Sequence, residues 1–248
     1  ILHLGIGQRD AADRQLAGIS AEVEHSAVVV GVDAQRGRAR AFDRKTVLRH
    51  PDPAGGQRDG AAGQLRQVDS VSGKERAIAD LLKKKLTAIG LEVFEDDAGR
   101  EVGSDTGNII AKLPGRGGGR TLLLSAHMDT VEPGCGVKPQ IEGDVIKSSG
   151  DTVLGADDKA GIAAILEVLR LVKEQNLQHG DLEVVFTIWE EGGLWGSKNL
   201  DYSKLSATSG FVLDNHGPPG TIVNRAPWQD HLGATIKGKS AHAGINPE

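Results

Sequence analysis

From Val68 onward, short apolar runs alternate with long helical patterns, and this alternation restricts the fold more than any other feature. Residues 91–94, 108–113, 121–125, 144–148, 182–189 and 210–213 read as strands. Before them, Ala77, Ile78, Leu81, Leu82, Leu86 and Ile89 recur at helical spacing, and Gly90 stops the helix. Residues 158–175 form a second, longer helical pattern, with Ile162, Ile165, Leu166, Leu169 and Val172 on one face. Ser72-Gly-Lys-Glu75 reads as a capping box for the first helix: the serine hydroxyl accepts the Glu75 N–H and the glutamate reaches back. Strands alternating with helices predict an α/β fold, a mostly parallel sheet sandwiched by helices.

The first 67 residues have a different character. They hold nine Arg and one Lys, whereas the remainder holds thirteen Lys and six Arg. Periodicity there is weak; only residues 26–32 (SAVVVGV) read as a strand. Gly5-Ile6-Gly7 does not extend to a dinucleotide fingerprint. Foldable sequences show agreement among their local signals. The expectation is therefore that residues 1–67 are an atypical segment and not a native domain, rather than a small extra domain. The missing initiator Met points to a fragment or a displaced start.

Charge and cysteine content exclude several functions. A net charge of −5 offers no basic patch for nucleic acid or an anionic membrane. Lys83-Lys84-Lys85 falls within a helical pattern and reads as a solvated face. No apolar run approaches the ~20 residues of a membrane span, and the start lacks a signal-peptide pattern. The single cysteine, Cys135, forms no intrachain disulfide and fits a reducing, cytoplasmic setting. Residues 114–119 are glycine-rich, but no GK[ST] follows, so they are not a phosphate cradle.

The acidic and histidine residues fall just past strand ends. His127 and Asp129 follow one strand, Asp157 and Asp158 open the long helix, Glu190 and Glu191 follow the next strand, and Asp214 the last. That edge of an open α/β sheet is where ligands bind. Asp158 taken alone reads as a helix cap. The set together needs cations, because clustered buried carboxylates are costly. One imidazole with several carboxylates and no thiolate suits zinc, cobalt or manganese. On a strand, residues two apart point the same way, so Asp129 can orient the His127 ring. Glu190 and Glu191 diverge: one can bind metal while the other moves a proton.

Ser125-Ala-His-Met-Asp-Thr130, Gly155-Ala-Asp-Asp-Lys-Ala-Gly161 and Phe186-Thr-Ile-Trp-Glu-Glu-Gly-Gly-Leu-Trp-Gly196 resemble three successive signatures of the M20 metallopeptidases. The flanking Val131-Glu-Pro-Gly134 and Lys198-Asn-Leu-Asp201 resemble its peptidase T branch. The resemblance implies a zinc-peptidase-like catalytic domain over residues 68–225, incomplete at its C-terminal part. Residues 226–248 would begin an inserted α+β lid, or dimerisation, domain that is cut short. It implies two divalent metal ions, zinc first, held by His127, Asp157 as the bridge, Glu191 and Asp214. Asp129 would orient His127, Glu190 would be the general base, and the Asp157–Asp158 peptide would be cis. Gly238-Lys-Ser-Ala-His-Ala-Gly244 resembles the start of the lid, with His242 on the oxyanion. The implied activity is an aminopeptidase on short peptides, with a homodimer through the lid. The alternatives are another M20 amidohydrolase (acylase or carboxypeptidase) or an inactive fragment that binds metal. Two residues depart from the family pattern: Trp189, and Gly192 where a bulky apolar residue is usual.

Overall fold

The computed structural model describes residues 65, 67–142, 145–215, 221–225 and 235, with the backbone of 27–28 and 48–49. Its elements run β1 (Ala27–Val28), β2 (Leu48–Arg49), α1 (Arg76–Ile89), β3 (Glu92–Glu95), α2 (Ala98–Val102), β4 (Ile109–Leu113), β5 (Leu122–His127), β6 (Pro139–Glu142), β7 (Val145–Ser148), α3 (Ala156–Glu174), β8 (Leu182–Thr187), α4 (Trp195–Lys198) and β9 (Ser209–Val212).

The main sheet has the order β1-β9-β5-β8-β4-β3. β1, β9, β5 and β8 pair in parallel, and β4 pairs antiparallel to both β8 and β3. Five of these six strands therefore run the same way and β4 is reversed, as the alternation of strands and helices predicts. A smaller antiparallel sheet joins β2, β7 and β6. Of the strand expected at 26–32, only β1 lies among the described residues, and Asp144 lies outside them.

Alternation along the strands builds two cores. Ile109, Ala111, Leu124, Ala126, Val184 and Phe186 face α1 and α3, where Ile78, Leu82, Leu86, Ile162, Ile165 and Leu169 meet them. Ile110, Leu123 and Val185 face the other way, against Leu200, Tyr202 and Leu205 of the α4–β9 connection. Burial on both faces is why β4, β5 and β8 read as continuous apolar runs. Leu65 is fully buried in the larger core, two residues ahead of the break in composition. No helix among the described residues is long and apolar enough to cross a membrane.

Helix α1 ends as expected: Gly90 adopts φ 99° and its N–H bonds the Leu86 and Thr87 carbonyls. Its start differs from the capping box. Glu75 is the N-cap residue and makes no side-chain cap bond. Gly73, at φ 81°, turns the chain. The Ser72 hydroxyl then donates to Asp129 Oδ2 at 2.6 Å, 57 residues away.

Candidate metal centre

Strands β5, β8 and β9 are neighbours and parallel, so their C-terminal ends lie on one edge. His127 is the last residue of β5 and only 2% exposed. Its Nε2 lies 3.1 Å from Asp157 Oδ1, and its Nδ1 lies 3.3 Å from Asp129 Oδ1. The second contact is at ion-pair distance, and Nδ1 makes no hydrogen bond among the described residues. Asp129 is fully buried: Oδ1 accepts the Glu190 N–H at 2.8 Å, and Oδ2 accepts the Glu191 N–H at 3.1 Å besides Ser72. The residue expected to orient His127 therefore also ties down the backbone of both glutamates.

Asp157 and Asp158 sit at the start of α3, behind Gly155 at φ 65°, and depart from helical geometry. The peptide between them is cis, as the resemblance implied. Asp157 turns to His127, whereas Asp158 is buried, with Oδ1 accepting the Gly161 N–H at 3.0 Å. Asp158 Oδ2 has no hydrogen-bond partner among the described residues.

Two groups of donor atoms converge. His127, Asp157 and Asp214 place ligand atoms within 4.8 Å of one another, and so do His127, Glu190 and Glu191. All the expected ligands and the expected base are thus brought to one place, with His127 common to both groups. His242 lies outside the described residues.

The carboxyls are under strain from one another. Burial pushes Glu190 above the usual carboxylate range, with the Asp214 charge adding to it. Burial, then Asp157, pushes Glu191 up to about 7. Asp214 is raised by burial and by Asp157, while the His127 hydrogen bond holds Asp157 low. Burial opposes a charge on His127, but its contacts with Asp129 and Asp157 raise its pKa well above the ordinary value. A divalent cation relieves this crowding, since it favours every carboxylate in its ionised form. Oxygen-rich donors with one imidazole fit a hard or borderline divalent ion.

Two positions were not legible as parts of the site. Ser72 reaches Asp129. Glu75 Oε1 accepts the Trp189 N–H at 2.9 Å, one residue before Glu190. The residues that depart from the family pattern also meet: a Cβ on Gly192 would lie 2.1 Å from Trp189 Nε1.

Comparison with known proteins bears on this site. The model of Peptidase family M28 matches residues 108–226. A tripeptidase from Staphylococcus aureus is 42% identical, with a TM-score of 0.62 over 63% of this chain and 42% of that one. The aminopeptidase PepT from Bacillus cereus is 46% identical, with a TM-score of 0.61 over the same shares, 63% and 42%. Peptidase T of Escherichia coli (strain SE11) is 31% identical over 217 residues, 74% of this chain and 50% of that protein. Fold and site together are those of a metallopeptidase catalytic domain. The M28 match and the peptidase T relatives agree on that class. The chain is similar to peptidase T-like metallopeptidases, as its sequence signatures imply. It spans about half the length of the curated relatives it matches.

Proposed function

We propose that this chain carries the catalytic machinery of a metal-dependent aminopeptidase acting on short peptides of tripeptide size. The observation that carries the reading is the meeting of two donor groups on His127, with Glu190 and Glu191 fixed beside it through Asp129. The names of the tripeptidase and PepT relatives support the substrate class.

His127 and Asp214 would hold one ion, Glu191 would contribute to a second, and Asp157 would serve both, as the resemblance implies. Zinc is the first choice of metal, with cobalt or manganese as alternatives. Bound ions supply Lewis acidity toward the scissile carbonyl and the attacking water. Glu190 takes the proton of that water and returns it to the leaving amine, a transfer that its raised pKa suits. Asp129 fixes the His127 ring and the two glutamate amides. His242 would donate to the oxyanion from the lid. A homodimer through the residues after 225 and a cytoplasmic location complete the proposal.

The test is hydrolysis by the zinc- or cobalt-loaded protein of a tripeptide with a free amino terminus, against its N-acetylated form and an N-acyl amino acid. Release of the N-terminal residue from the free tripeptide alone, abolished by chelator, is expected. Release of a C-terminal residue or an acyl group would move the protein to the carboxypeptidase or acylase branch. Stoichiometric metal with no hydrolysis would make this chain a metal-binding fragment.

A further inference from the structure

Glu75 is fully buried, and among the described residues no cation pairs with its carboxylate. Its oxygens are instead held by neutral donors. Oε1 accepts the Gly73 N–H and the Trp189 N–H, each at 2.9 Å, and Oε2 accepts the Ser104 hydroxyl at 2.9 Å. A buried carboxylate without a countercharge is costly, and burial raises its pKa. A packed apolar residue at this helix start would avoid that cost.

The arrangement has a direction. Glu75 holds the amide of residue 189, and Asp129 holds the amides of 190 and 191. Two buried carboxylates thus fix three consecutive N–H groups of the turn that follows β8. Trp189 takes φ 45° there, in the left-handed region. A side-chain acceptor at its amide stabilises a conformation that an L residue rarely adopts. The same short segment supplies Ser72 to Asp129, so residues 72–75 grip the turn from both sides.

We infer that Glu75 is a positioning residue: its Oε1, by holding the Trp189 amide, sets where the Glu190 and Glu191 carboxylates stand at the metal centre. The inference rests on the functional reading above, in which Glu191 is a ligand and Glu190 the base. Outer groups that orient ligands typically change metal affinity by about 10–100-fold when removed.

The experiment is cobalt(II) titration of the full chain, followed by visible absorbance, with melting temperatures taken on the same samples. Glu75→Ala is expected to weaken cobalt binding by about 10-fold or more and to alter the absorption band. Glu75→Gln keeps a carbonyl oxygen for both amides and should bind close to the unsubstituted chain. Ser104→Ala removes the Oε2 bond and the longer bond from the Thr106 N–H to the Ser104 hydroxyl, but leaves the Trp189 amide held; it should lower the melting temperature without moving affinity. Equal loss in Glu75→Ala and Ser104→Ala, or unaltered binding in Glu75→Ala, overturns the inference. Should Glu75→Ala not fold, the order of Gln and Asp decides. Aspartate is one methylene too short to reach residue 189, so binding by Glu75→Asp as tight as by Glu75→Gln overturns it. Failure of the metal reading looks different: cobalt binding would then be insensitive to His127→Ala.

Discussion

Trp189 and Gly192 are shaped for each other: the indole nitrogen of Trp189 lies where the first carbon of any side chain at 192 would have to go, 2.1 Å from it. Gly192 is not among the residues with positive φ, so the space and not the backbone demands glycine. The two positions that depart from the pattern the resemblance implies share one space. Gly192→Leu, the more usual kind of residue, should overpack the turn by about 1–3 kcal/mol. It should lower the melting temperature by roughly 2–10 °C. In a Trp189→Thr background the same leucine should cost far less. A double-mutant cycle on melting temperature checks this, and additive losses would show that the two sites do not share space.

Glu190→Gln leaves the expected ligands in place but removes the proton acceptor. Turnover by the metal-loaded protein should fall on the order of 10²–10⁴-fold with metal content unaltered. Near-normal activity would assign the base elsewhere.

His127 and Asp214 are assigned to the same ion, and their ligand atoms share one donor group. His127→Ala and Asp214→Ala should therefore reduce zinc per chain to a similar extent, as read by elemental analysis after dialysis. Loss in one variant with full metal content in the other would separate the two residues.

Burial opposes ionisation of Glu95, but hydrogen bonds from Arg76, Lys83, the Gly107 amide and Thr106 overcome it and hold its pKa far below the ordinary 4.5. A carboxyl with a depressed folded pKa stabilises the fold above its unfolded value, and that stability is lost as pH falls. The metal-free chain should thus lose melting temperature as pH drops below 4.5, and Glu95→Gln should flatten that slope. Parallel profiles for the two would remove Glu95 as the cause.

Leu65 is buried in the main core although it precedes the break in composition. Deleting residues 1–64 should leave the melting temperature nearly unaltered. Leu65→Ala should cost about 2–5 kcal/mol. A large loss on deleting residues 1–64 would show that the early segment packs as a domain.

Most of the central sheet was legible because its strands are buried on both faces and α1 and α3 repeat with helical period. The acidic residues at strand ends were legible for the same reason, since strand limits place them. Strand β6 was not: Ile141 is exposed and its neighbours are polar, so no pattern marks it, and pairing with β7 alone makes it a strand. Ser72 and Glu75 were misread for a related reason. A sequence displays only local partners, and the capping box is the best local arrangement for SGKE. Glu75 does reach back, to the Gly73 N–H, but Asp129 for Ser72 and Trp189 for Glu75, 57 and 114 residues distant, are partners that only the fold supplies.

The parallel pairing of β5 with β8 sets His127 opposite Thr187. Side chains alternate faces along a strand, so a slip of one residue would turn the imidazole to the opposite side of the sheet, away from Asp157 and the glutamates. Nothing in a hairpin turn pins this pair, because the whole of β6, β7 and α3 lies between its strands. Metal uptake would therefore report on register, because only a molecule with these two strands correctly aligned would bring the donors together. Binding would favour that alignment over others by mass action.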